Sequence, residues 1–134
     1  MIEERARADY LLRLEQHIDF LQVEVHASAN TQAVRIAFWQ EIASEAKARG
    51  MRRLLVVDRR KGEPGTAAEM AELAAMFRHK AGDFDRIAVI ETMPEYLPAA
   101  QYGEIHGQSV GINLRVFSVA AEAERWLRYG SPDD

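Results

Sequence analysis

The stretch Leu54–Met70, LLVVDRRKGEPGTAAEM, decides the fold. It opens on four uninterrupted aliphatic residues, which suits a strand covered on both faces, as in a parallel sheet. Asp58 ends the run, and a charged loop with two glycines and a proline follows. Thr66 and Glu69 then have the spacing of a capping box, in which each side chain satisfies a backbone N–H of the first helical turn. A buried strand that runs through a short loop into a helix is the repeating unit of α/β proteins. It is also where open α/β sheets place ligands.

The same alternation extends outward in both directions. Upstream, Val34, Phe38, Ile42 and Ala46 lie four apart, with Trp39 and Ala43 beside them, which predicts an amphipathic helix over Thr31–Arg49. Asn30 is its expected N-cap and Gly50 its C′ residue. Downstream, Met70, Leu73, Ala74 and Phe77 predict a helix over Thr66–Lys80, with Arg78, His79 and Lys80 at its electronegative end and Gly82 as the stop. Arg86–Ile90, RIAVI, reads as a second buried strand. Thr92 and Glu95 repeat the capping-box spacing, with Pro94 in the first turn of a glycine-rich helix. Leu114–Phe117 is the last strand. Val119, Ala123, Trp126 and Leu127 form the apolar face of a final helix, stopped by Gly130.

The chain opens differently. Met1–Ala8 is charged and reads as a frayed arm or one helical turn. Tyr10–Glu15 partly alternates and Phe20–Ala27 alternates clearly, so two antiparallel strands are expected, joined through QHID. The predicted order is ββαβαβαβα. It gives one α/β domain over residues 9–129, an arm at 1–8 and a tail at 130–134. The sheet is expected to be mixed and mostly parallel, with an N-terminal antiparallel hairpin and covering helices.

Composition narrows the function classes. A net charge of −4 gives no electrostatic case for nucleic acid or an anionic membrane. The chain has no cysteine, which excludes disulfides, thiol catalysis and thiolate metal sites and fits a reducing cytoplasm, the expected compartment. The N-terminus is charged where a signal peptide needs an apolar run. The apolar runs are also too short for an integral membrane segment.

No complete catalytic motif is present. In Gly62-Glu63-Pro64-Gly65-Thr66 the glycine spacing is wrong for a P-loop, Lys61 precedes the glycine, Glu63 repels an anion and Pro64 removes an N–H. No G-x-G-x-x-G and no G-x-S-x-G occurs. Asp58 sits where a receiver domain keeps its phosphoacceptor. However, the first strands end in Glu15 and Ser28 and do not supply the further acids that hold a divalent cation. Histidines 17, 26, 79 and 106 show no metal-ligand spacing. No cofactor and no metal are therefore expected. The basic residues Arg52–Arg53 and Arg59–Lys61 lie at opposite ends of a strand, about 20 Å apart, as two small clusters. The second cluster can meet an acidic partner.

The segment Tyr96–Gly111 is the most unusual. Glycines at 103, 107 and 111 each cost about 1 kcal/mol of helix stability relative to alanine. Two readings stand. One is a flap over an apolar pocket, with Tyr96, Leu97, Tyr102, Ile105 and His106 lining or gating it. The other is close packing of the helix on the sheet, with the last glycine turning the chain into the strand.

Three stretches carry a resemblance. ADYLLRLEQHIDFLQVEVHA resembles the opening hairpin of the STAS fold, the fold of bacterial anti-sigma-factor antagonists. GMRRLLVVDRRKGEPGT is similar to that family's strand-to-helix junction. LRVFSVAAEAERWL is similar to its closing strand and helix, here at Arg115, Val116, Phe117, Ala123, Trp126 and Leu127. The similarity spans residues 9–129. It is greatest to the stand-alone bacterial branch grouped with CRAL-TRIO lipid-binding domains. Two departures stand out. Regulatory members carry a phosphorylated serine in a D-S-S-G-like segment, where this chain has Glu63-Pro64-Gly65-Thr66. The family's glycine after the second strand is replaced by Ala27-Ser28-Ala29-Asn30. The resemblance implies a non-enzymatic bacterial regulatory module that docks a protein partner through Asp58, Arg59, Arg60, Lys61 and Thr66. The alternative expectation is a carrier or sensor of a small apolar ligand, a lipid or fatty acid, held between sheet and helices. A homodimer is compatible with either.

Overall fold

The computed structural model describes residues 1–130. Six strands form one sheet in the sequential order β1 to β6: β1 Ile2–Ala6, β2 Leu11–Gln16, β3 Leu21–His26, β4 Arg53–Asp58, β5 Arg86–Ile90 and β6 Leu114–Phe117. The first three strands pair antiparallel and the last four pair parallel. Helices α1 Gln32–Ala48, α2 Ala67–Met76 and α3 Leu97–Ser109 connect the parallel strands, and α4 Ala120–Tyr129 follows β6. The mixed α/β sheet expected from the sequence is therefore present.

The sheet has two covered faces, and this explains the continuous apolar runs of β4 and β5. On one face Leu54, Val56, Ile87 and Val89 pack with Val34, Phe38 and Ile42 of α1 and with Ile112. On the other, Leu55, Val57, Ala88 and Ile90 pack against Ala123, Trp126 and Leu127 of α4. Phe20 joins this second core from the β2–β3 turn. Strands β2 and β3 alternate because Leu12, Leu14, Val23 and Val25 enter only the first core.

The start of the chain corrects the sequence reading. Residues 1–8 are not a frayed arm or a helical turn, because Ile2–Ala6 pairs with β2 from Ile2↔Glu15 to Ala6↔Leu11. The strand escapes pattern reading because three of its five residues are charged and all but Arg5 are exposed. It is held by backbone pairing and by ion pairs to α1. Arg5 Nη2 donates to Glu45 Oε1 at 3.0 Å, Arg7 Nη2 to Glu41 Oε2 at 2.7 Å, and Arg49 Nη2 to Glu3 Oε1 at 3.1 Å. The order is thus βββαβαβαβα.

Smaller differences lie at helix ends. Thr31, not Asn30, caps α1, with its hydroxyl accepting from Val34 N at 3.3 Å. Gly50 does take the C′ role, at φ 68°. The second helix stops at Met76, and Arg78–Asp83 tightens into a 3-10 turn, as helix ends often do. The Thr92–Glu95 capping box does not form. Instead, Pro94–Tyr96 makes a 3-10 turn with no side-chain cap. Pro98 sits in the first turn of α3, where its missing N–H would have no helical partner. Gly111, at φ 90°, turns the chain toward β6 as expected. Gly130, at φ 70°, ends α4, and the rest of the expected tail, 131–134, lies outside the described residues.

Candidate functional site

Parallel strands β4 and β5 both run off their carboxyl ends into an acid. Val57 pairs with Ile90, so Asp58 and Glu91 occupy the next step of each strand. Three loops converge there: residues 27–31 before α1, 59–66 before α2 and 91–96 before α3.

The first two loops are sewn together by one buried cation. Arg35 of α1 is 2% exposed. Its Nε donates to Asn30 Oδ1 at 3.1 Å, Nη1 to Gln32 Oε1 at 3.0 Å, and Nη2 to Asn30 O at 2.7 Å and Glu63 O at 3.4 Å. Glu69 Oε2 lies 3.5 Å from Nη1. Burial pulls the Arg35 guanidinium below its ordinary value and Glu69 opposes that. An arginine starts so far above neutrality that the charge persists. Gly65 leaves room for this approach, since a Cβ there would lie 2.4 Å from Met70 Cε and 3.1 Å from Arg35 Cζ, and both side chains would have to shift.

Arg60 forms the second stitch. Its Nε donates to Asp58 Oδ1 at 2.8 Å, its Nη2 to Asp58 Oδ2, and its Nη1 to Asn30 Oδ1 at 2.8 Å. The guanidinium also lies 4.9 Å from the Phe38 ring centroid, a cation–π contact. Asn30 Nδ2 donates to Glu63 O at 2.9 Å, so Asn30 serves as the hub of the mouth and not as a helix cap.

Below this polar mouth lies a cavity of about 130 Å³ between the sheet and α1–α3. The sheet contributes Leu54, Ile87, Val89, Leu114 and Val116 to its walls. Trp39 of α1 and Met70, Leu73 and Phe77 around α2 close it on the helical side. Asn30, Arg35, Asp58, Arg60 and Glu91 line one end, and Lys80 and Phe84 line it further down the strands. From Leu54 to Asp58 the cavity follows about 13 Å of strand.

Glu91 is the outlying group. It is 4% exposed, and its carboxyl is pushed up to about 7. Burial is the main cause and the negative charge of Asp58 the next, opposed by Arg60 and by the Thr92 N–H. A carboxyl in this range exchanges its proton near neutrality.

The expected partner-docking residues divide. Asp58 and Arg60 belong to the mouth, while Arg59 and Lys61 point their charge to solvent. The Arg59 and Lys61 backbone N–H groups donate to Val25 O at 2.8 Å and Ala27 O at 2.9 Å, which fixes the loop against β3. Thr66 caps α2 as expected. Its hydroxyl accepts from Glu69 N at 3.1 Å, and Glu69 Oε1 accepts from Thr66 N at 3.0 Å.

The expected lid residues also divide. Tyr96 lines the cavity, whereas Leu97, Tyr102, Ile105 and His106 do not, and Tyr102 and Ile105 are exposed. The face of α3 that meets the cavity is instead Ala99, Ala100, Gly103 and Gly107. Close packing does not explain these glycines either. A Cβ at Gly103 would find Met70 Sδ at 3.9 Å, and one at Gly107 would find Leu114 Cβ at 3.8 Å, both ordinary contacts. Their missing methyls leave space open.

Pattern reading of single segments does not reveal Asn30, Arg35 or Glu91. The available signal for Glu91 is that it follows RIAVI as Asp58 follows LLVV, so that two acids end adjacent strands. No helix among the described residues is long and apolar enough to cross a membrane. Comparison of the sequence with protein-family models finds no match, and comparison with curated proteins finds none either.

Proposed function

We propose that this domain binds a small apolar ligand in the cavity between its sheet and helices α1–α3, as a non-enzymatic carrier or sensor. The single observation that carries this reading is the cavity itself: apolar walls, a polar end held by buried hydrogen bonds, and a helix whose glycines keep it open. The similarity to the STAS-like branch grouped with lipid-binding domains supports the same direction. Volume sets the ligand class. An apolar cavity of about 150 Å³ admits benzene, so one of about 130 Å³ suits a ring or a chain of about six carbons. A full-length fatty acid exceeds this volume.

Isothermal titration of the purified chain with n-hexanol tests this. One saturable site per chain is expected, with a melting temperature that rises as the alcohol is added. Heat that never saturates, with an unchanged melting temperature, would count against it.

A second reading is docking of an acidic protein partner at the junction after β4. It is favoured by the exposed Arg59 and Lys61 on a loop whose backbone is pinned to β3. Phosphorylation of Thr66 fits it less well, because that hydroxyl already accepts from Glu69 N.

A further inference from the structure

The polar groups at the mouth differ in what they still have to offer. All three nitrogens of the Arg35 guanidinium are engaged by Asn30, Gln32, Glu63 and Glu69. Asp58 Oδ1 accepts from both Arg60 N and Arg60 Nε, and Oδ2 accepts from Arg60 Nη2. Asn30 Oδ1 takes Arg35 and Arg60 together, and its amide serves Glu63 O. Glu91 is different. It lines the cavity, is 96% buried, and its carboxyl has no side-chain partner among the described residues. It accepts the Thr92 backbone N–H but has no cationic partner of its own, and buried carboxylates without one are rare, because removing the charge from water is costly unless it is paired.

Charge points in the same direction. Arg35 pairs with Glu69 and Arg60 with Asp58, so each cation at the mouth is already balanced. Ionised Glu91 adds one further negative charge at the mouth, while Lys80, the other cation on the lining, lies further down the strands. The group that completes the site is therefore a cation carrying N–H donors on an apolar body.

We propose that the cavity takes a small apolar amine, its ammonium head on the Glu91 carboxylate and its hydrocarbon body against Met70, Val89 and Val116. This rests on the cavity reading above and names its ligand class. Neutral alcohols of the same size fill the same space without the ion pair. Carboxylates of the same size bring a second negative charge to Glu91.

The charged groups around Glu91 are Asp58 and Arg60 at the end of β4 and Glu95 in the turn before α3, with Arg35, paired to Glu69, across the mouth and Lys80 further along the same cavity. Because burial raises the Glu91 carboxyl to about 7, the competent ionised form is the minor one at pH 6. The apparent affinity for an amine then falls by about tenfold from its high-pH limit, in proportion to the competent fraction.

The test titrates the full chain with n-hexylamine, n-hexanol and sodium hexanoate at pH 8 and pH 6, and repeats the pH 8 series with Glu91→Gln. Hexylamine is expected to bind at least tenfold more tightly than the other two at pH 8, and about tenfold more weakly at pH 6, with hexanol unchanged. Glu91→Gln is expected to abolish the preference and keep hexanol binding. The pH arm uses the unaltered chain and needs no variant to fold. Hexanol or hexanoate binding as tightly as hexylamine would overturn the amine assignment and leave the cavity reading standing. Retention of the preference in Glu91→Gln would do the same. Failure of all three compounds to bind removes both.

Discussion

At the scale of single residues, Glu91 has the clearest consequence for stability. Its folded-state carboxyl, at about 7, lies above the roughly 4.3 of an unfolded glutamate. The folded chain therefore holds a proton that the unfolded chain releases between those values. Its contribution is fully present below about pH 4.3 and is lost as pH rises through 7. Glu91→Gln removes the titration. Urea unfolding at pH 5 and pH 8 should show the variant gaining on the parent by about 2.5 kcal/mol as pH rises. Parallel pH profiles would mean that Glu91 does not titrate in the folded chain. Neither Glu91 nor Arg35 stands out in the sequence, because what defines them is distant in the chain. Arg35 meets Glu63 and Glu69 about thirty residues away, and Glu91 meets Asp58 only through strand pairing. Thr66 and Asp58 can be read because capping and strand termination are local.

At the scale of elements, α3 and β1 carry the lesson. Pattern reading finds α3 but leaves two readings of it, a flap whose large residues line the cavity and a helix packed closely on the sheet. The structure turns Tyr102 and Ile105 outward and presents Gly103 and Gly107 inward. An added methyl at Gly103 meets nothing closer than 3.9 Å. Gly103→Ala should therefore stabilise the chain by about 0.5–1 kcal/mol in urea unfolding. The same methyl occupies part of the cavity, so affinity for n-hexanol should fall. Loss of stability would mean that the glycine serves packing after all. Strand β1 has no apolar period to read, and its attachment depends on Arg5 and Arg7 reaching Glu45 and Glu41 of α1. Arg5 holds the Glu45 carboxyl below the usual carboxylate range. Replacing Glu45 by Gln weakens a charge-assisted bond, and amide exchange across Ile2–Ala6 should quicken by the equivalent of about 1–2 kcal/mol. Exchange in β4 and β5 should stay unchanged, and equal acceleration there would contradict a local role.

At the scale of the whole molecule, the α/β class and the mixed sheet follow from repeated strand–loop–helix units, each bounded by turn or cap residues near in sequence. Which sheet face each helix covers, and that three helices leave a gap above β4–β6, depends on side-chain volumes summed across distant segments. The cavity is a property of the assembled fold, with walls drawn from β4, β5, β6 and three helices. Methyl NMR reports on it directly. The chain has five methionines, of which Met70 lines the cavity while Met1, Met76 and Met93 are exposed. With methyl-labelled methionine and rising n-hexanol, the Met70 signal should shift along a saturable curve while those of Met1, Met76 and Met93 stay in place. A Met70 signal that does not move while the exposed methionines drift with alcohol concentration would contradict ligand binding in the cavity.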